Sequence, residues 1–121
     1  MPDAIQKDTL SDVADTSKFS INMLICGINT STSATYLITK PDFLLGKSGN
    51  CDGVLDFSEE VSREHARISW TDGHYTVTDL NSLNGTFLNG SRLASGEPYL
   101  LHEGDRIGLS TFLFSVKMLR R

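Results

Sequence analysis

The chain has 121 residues, enough for one domain with one core, and 15 acidic against 11 basic residues give it a formal charge of -4. That balance excludes a broad positive field for nucleic acid or an anionic membrane, so any anion site has to be local. No apolar run approaches a membrane span and no signal peptide is legible at the start, so Cys26 and Cys51 are expected to stay reduced in a cytoplasmic protein.

Residues 1–20 carry Asp3, Asp8, Asp12 and Asp15 with few large apolar side chains, which predicts a flexible polar tail ahead of a domain over 21–119. Inside that tail, Thr9-Leu10-Ser11-Asp12 has the form of a helix capping box. From Ile21 the period becomes two, with Ile21, Met23 and Ile25 on one face and a break at Gly27. Asn29 to Ser33 is turn chemistry. Tyr36-Leu37-Ile38 and Phe43-Leu44-Leu45, split by Lys40-Pro41-Asp42, are too brief for helices and are expected to be buried strands.

Gly53 to Asp56 predicts a further short strand. Ala66 to Trp70 and Tyr75 to Leu80 alternate, and Thr71-Asp72-Gly73 joins them as a hairpin with Asp-Gly turn chemistry. Asn84-Gly85 and Asn89-Gly90 are tight turns framing Thr86 to Leu88. Tyr99 to Leu101, Asp105 to Leu109 and Thr111 to Met118 complete the series, the last with Phe112, Phe114, Val116 and Met118 on one face. About eleven short, mostly antiparallel strands at this turn spacing predict an all-β sandwich or barrel.

Three turns carry the chemistry: Gly46-Lys47-Ser48, then Ser62-Arg63-Glu64-His65, then Asp79 to Thr86. Together they set hydroxyls, an amide and two cations on loops, the makings of an anion-binding surface. A phosphorylated threonine brings a charge of about -1.5 to -2 and three acceptor oxygens, so its receptor needs fixed donors and at least one full cation. One ion pair near a surface is worth at most about 4 kcal/mol, whereas micromolar binding needs about 8 kcal/mol. Two cations with hydrogen bonds suffice where one does not.

These pieces, with Asn89-Gly90, Gly104-Asp105 and Ile107, resemble the signature of the forkhead-associated (FHA) domain, a module that binds phosphothreonine peptides, over roughly Asn22 to Met118. The resemblance implies a two-sheet β-sandwich with binding loops at one end and no catalytic activity or cofactor. It implies that Ser62 and Arg63 contact phosphate, that Lys47 stands where an arginine is usual, and that Asn84 hydrogen-bonds the ligand's main chain. His65 matches a buried histidine that braces the loops, a supporting role shared with Gly46, Asp79 and Gly85. Glu60, Leu83 and the loop from Asn89 to Pro98 are expected to tune side-chain preference. Some members of the family accept a phosphorylated threonine with an acid three residues on, the pattern of Thr9 to Asp12. The implied partners are a phosphothreonine protein and its upstream serine/threonine kinase, with no nucleic acid and no membrane.

Lys47 is a departure, because an ammonium is a mobile point charge and a guanidinium holds two oxygens at once, so a lower affinity is expected. Glu59, Glu60 and Glu64 also crowd the loop. The competing reading is a scaffold or oligomerisation domain with a degenerate site, separable by paired phosphorylated and unphosphorylated peptides.

Sharper alternatives fail. Gly46-Lys47-Ser48 looks like the end of a P-loop, but Pro41 stands where the first glycine belongs. Ser62, His65 and Asp79 have the residue types of a hydrolase triad without nucleophile-elbow glycines or an oxyanion hole. No paired metal-ligand spacing exists among the histidines and cysteines, and Asp79-x-Asn81 fails as a calcium loop because Leu83 and Asn84 stand at a ligand and a glycine position.

Overall fold

The structure, a computed structural model, describes residues 16–29 and 34–119. The Thr9 motif, Thr30 to Ser33 and most of the polar tail lie outside the described residues. Eleven strands form a sandwich: β1 Met23–Gly27, β2 Thr35–Leu37, β3 Asp42–Gly46, β4 Gly53–Val54, β5 Ala66–Thr71, β6 His74–Asp79, β7 Thr86–Leu88, β8 Ser91–Arg92, β9 Pro98–Leu100, β10 Arg106–Leu109 and β11 Phe112–Met118. One sheet has the order β2-β1-β11-β10-β7-β8 and the other β4-β3-β5-β6-β9. Every pairing is antiparallel except β3 with β4.

Alternation in the sequence becomes two inner faces. Met23, Ile25, Ile107, Leu109, Phe114 and Val116 come from one sheet, and Phe43, Leu45, Ala66, Ile68 and Val77 from the other, all buried in a single core. Each of these side chains larger than alanine contributes about 1.5–3 kcal/mol by leaving water. At one end of the sandwich the Phe19 ring meets Trp70 edge-on at 5.5 Å.

Turn chemistry sets the register. Asp72 and Gly73 both have positive φ, 55° and 89°, the two-residue turn whose twist matches that of its strands, and it aligns Thr71 with His74. Asn89 and Gly90, at 51° and 89°, make the same turn between β7 and β8. β8 has no periodic signal of its own; two polar residues become a strand because that turn folds them back onto Phe87 and Leu88.

Tyr36-Leu37-Ile38 departs from the buried strand expected of it. β2 is an edge strand, Leu37 is 42% exposed, and only Ile38, beyond the strand's end, is fully buried. An apolar triplet gives no information on whether one face or two are covered, and an edge strand covers one. β1 begins at Met23, not Ile21, because the last pairing across its end is Leu119 N–H to the Asn22 carbonyl at 2.7 Å.

Candidate functional site

The loops after β3, β4, β6 and β10 meet at one end of the sandwich. The segment following β3 runs alongside the segment preceding β5: Lys47 N–H donates to the Ser62 carbonyl at 2.9 Å, Ser48 N–H to the Arg63 carbonyl at 3.0 Å, and His65 N–H to the Leu45 carbonyl at 2.8 Å. This approach requires a glycine at 46, since a Cβ there would lie 2.2 Å from the Arg63 carbonyl oxygen. Lys47 is thereby held beside Ser62 and Arg63.

Ser62 Oγ accepts the Leu83 N–H at 3.0 Å, which leaves its own hydroxyl proton free to donate outward. Asn84 Nδ2 donates to the Glu60 carbonyl at 2.9 Å, so its Oδ1 remains available as an acceptor. Lys47, Ser62, Arg63 and Asn84 are thus brought to one surface, with Leu83 beside them and 83% exposed.

Beneath them lies a polar scaffold. His65 is completely buried; its Nδ1 accepts the Ser62 N–H at 3.0 Å, so Nε2 carries the proton and donates to the Gly85 carbonyl at 2.8 Å. That carbonyl also accepts the Ser110 N–H at 2.9 Å and so links three loops. Burial lowers the pKa of His65, against the smaller opposing pull of the Gly85 carbonyl and Asp79, and keeps the ring neutral. Buried Asp79 accepts the Ser82 hydroxyl at 2.5 Å, the Thr86 hydroxyl at 2.6 Å and the Ser82 N–H at 3.2 Å. Burial alone would raise its pKa, but these donors outweigh it and hold the carboxyl ionised. Ser82 Oγ in turn accepts the Gly85 N–H at 3.0 Å, and Gly85 adopts the left-handed φ of 93°.

The three glutamates of the loop behave differently. Glu59 forms an ion pair with Lys47 at 2.7 Å, and that contact holds its own pKa down. Glu60 turns away, accepting the Ser110 and Thr111 hydroxyls at 3.0 and 3.1 Å through the same oxygen, Oε1. Glu64 is exposed. Among the described residues Arg63 enters no ion pair and is exposed, the cation of the two that is free to meet an anion.

Sequence reasoning missed several neighbours. Phe87, Ser110 and Thr111 join Glu60 and Asn84 around a cleft of about 460 Å³. Ser110 holds a left-handed φ of 58°, which nothing in a Leu-Ser-Thr stretch announces. The Arg92 guanidinium lies over the Phe87 ring, 6.0 Å from its centroid, and against Gly85, where a Cβ would meet its Nε at 2.8 Å. An Asn-Gly turn preceding Arg92 was the one available sign that it folds back on the loop.

The family model that matches this chain is the FHA domain, over residues 43–110. The oxoglutarate dehydrogenase inhibitor of Corynebacterium diphtheriae is 32% identical over 90 residues, covering 74% of this chain and 60% of that protein. The glycogen accumulation regulator GarA of Mycolicibacterium smegmatis is 29% identical over 90 residues, covering 74% of this chain and 54% of that protein. A solved structure from a study of phosphothreonine-dependent FHA domain interactions superposes with a TM-score of 0.73 at 25% identity, covering 83% of this chain and 99% of that one. The two-sheet sandwich with converging loops is the FHA architecture, and the chain belongs to the FHA domain family. It spans somewhat over half the length of the two curated relatives, 60% and 54%.

Proposed function

We propose that this chain is a non-catalytic module, its sandwich occupying residues 21–119, that recognises a phosphothreonine in an extended segment of a partner protein modified by a serine/threonine kinase. The observation that carries this reading is the main-chain pairing of residues 45–48 with 62–65, which holds Lys47 next to Ser62 and Arg63, with Leu83 and Asn84 bonded to the same loop through Ser62 Oγ and the Glu60 carbonyl. Ser62 donates to one phosphate oxygen, Lys47 and Arg63 neutralise the dianion, and Asn84 Oδ1 accepts a main-chain N–H of the ligand. The family membership and the likeness to an FHA domain studied through its phosphothreonine-dependent interactions support the assignment.

The cleft beside Asn84 gives the site a side-chain preference. Glu60 and Ser62 are two residues apart, at most about 7 Å, and an extended peptide advances about 3.3 Å per residue. A ligand residue two or three positions from the phosphothreonine therefore reaches the cleft. Two hydroxyls aim one carboxylate oxygen of Glu60, Phe87 supplies an apolar wall, and a lysine or arginine side chain complements both.

Titration with paired phosphorylated and unphosphorylated threonine peptides tests the reading. Micromolar binding that requires the phosphate is expected, and Arg63→Ala and Lys47→Ala should each weaken it by about 1 to 3 kcal/mol, the range of charge-assisted hydrogen bonds. Unchanged affinity in both variants would place the site elsewhere. Peptides with lysine at the second or third position from the phosphothreonine should bind more tightly than those with glutamate there, and Glu60→Gln should abolish the difference.

A further inference from the structure

Apart from the loop end, the charge of this molecule is unevenly spread over its two sheets. The strands of the six-stranded sheet carry Arg92, Arg106 and Lys117 and not one carboxylate, although the chain as a whole is acidic. All three cations point outward. Arg106 stands opposite Ser115, Lys117 opposite Leu24, and Arg92 opposite Phe87, each pair alternating with the buried row of Ile107, Val116 and Ile25. Among the described residues none of the three enters an ion pair, whereas Lys40, Lys47 and Arg67 each face a carboxylate.

Between the cations the face is apolar or small. Leu24 lies beside Leu37, which is 42% exposed. Phe87 and Leu113 flank Gly108, where a Cβ would come within 3.2 Å of Phe87 and 3.4 Å of Leu113, so the glycine lets both side chains close over the strand. Cys26, Thr35 and Ser115 make the remaining row shallow. At sheet spacing the face is about 24 Å across, and Arg106 and Lys117 are about 8 Å apart at Cα. Phe87 belongs both to this face and to the cleft beside Asn84, so the two surfaces are continuous.

We propose that the outer face of the six-stranded sheet is a second docking surface, and that its occupant is an acidic, leucine-containing segment of a partner protein. Charge complementarity selects the acid: three cations that enter no ion pair among the described residues, on strands that carry no carboxylate, make a local positive patch that attracts carboxylates, bordered at one edge by Glu103, whose Oε1 accepts the Met118 N–H at 2.6 Å. The exposed Leu37 and the half-buried Leu24, Leu113 and Phe87 select an apolar component, which a bare polyanion lacks. Nucleic acid fits poorly, because three cations release few counterions and the -4 charge of the chain opposes the phosphate backbone. Continuity through Phe87 allows one partner to occupy this face and the loop end together, and the face binds without needing the loop end.

The test is a titration of the full chain, followed by amide chemical shifts, with an unphosphorylated peptide of about eight residues, long enough to cross the face when extended, containing glutamate and leucine in a two-to-one ratio. Saturable shifts are expected at Leu24, Leu37, Arg106, Leu113 and Lys117. They should persist in Lys47→Ala/Arg63→Ala, which disables the loop end. The affinity should fall at least about fivefold in Arg106→Glu/Lys117→Glu and between roughly 50 and 300 mM salt. The proposal is overturned if shifts are confined to residues 46–48 and 62–65, or if the peptide with lysine in place of glutamate binds as well. It is equally overturned if oligothymidylate binds more tightly, if the charge reversals move the resonances of residues 1–15, which would make the chain's own tail the occupant, or if they abolish self-association, which would make it a second copy. Unchanged thermal melting of the double reversal shows that the loss is one of binding and not of folding.

Discussion

At the scale of single residues, the site is a competition for Lys47. Its ammonium is already held by Glu59 at 2.7 Å, on a carboxylate whose side chain is 93% exposed. An exposed ion pair of this kind is weak and easily exchanged for a more highly charged anion. Glu59→Gln should therefore tighten phosphopeptide binding by about two- to fivefold, measured by calorimetry at low salt, because the phosphate no longer has to displace a rival. A weakening would mean that Glu59 positions Lys47 instead of occupying it. Arg63 has no such rival among the described residues, so Arg63→Ala is expected to cost more affinity than Lys47→Ala. The motif residues of this edge were legible in the sequence, since Ser62, Arg63 and Asn84 sit in turns with a recognisable pattern. The Lys47–Glu59 pair was not, because it joins residues twelve apart whose meeting depends on the path of the loop between them.

At the scale of elements, the loop joining β6 to β7 is built around one carboxylate. Asp79 ends β6, and its oxygens hold Ser82 and Thr86, which begins β7, so Leu83 and Asn84 are presented from a closed turn. Asp79→Ala would leave two buried hydroxyls without an acceptor. A loss of about 2 to 3 kcal/mol in urea denaturation is expected, with weaker phosphopeptide binding even where the protein remains folded. An unaltered midpoint would show that water replaces the carboxylate. Gly85 adopts the left-handed φ of 93°; the sequence marked Asn84-Gly85 as a tight turn and, through the resemblance, assigned Asp79 and Gly85 supporting roles. It did not show the two hydroxyls as partners, nor the turn between β10 and β11 that brings Ser110 and Thr111 against Glu60. Those residues are 50 and 51 positions from Glu60, and no local pattern encodes that contact. Asn29 is a similar case: its side chain bonds Leu113 N–H and the Thr111 carbonyl, locking the end of β1 to β11, though its sequence reads only as a turn.

At the scale of the whole molecule, stability and site share a buried histidine. His65 joins the Ser62 loop to Gly85 at zero exposure, and burial holds its folded pKa below the ordinary 6.5. Above pH 6.5 the ring is neutral in both folded and unfolded chains, so the shift has no effect on stability there. As pH falls below 6.5 the unfolded chain gains a proton that the native ring resists, and stability drops by up to about 1.4 kcal/mol per pH unit until the folded pKa is reached. The Asp79 carboxyl acts in a separate window, its contribution being lost only as pH falls below about 3.8. Urea midpoints at about pH 7.5 and 5.5 should therefore differ, with the lower pH less stable; equal midpoints would mean that the ring is protonated in the native state at no cost.

By itself the sequence determined that this is an all-β chain and marked the turns that carry its candidate anion site, because alternation and turn residues act within a few positions of one another. Only the tertiary structure decided which strands are edges, which carboxylate faces which cation, and that three cations share a sheet whose strands carry no acid. Those outcomes depend on pairings between residues far apart in the chain, and a side chain's electrostatic surroundings come from whatever the fold sets opposite it.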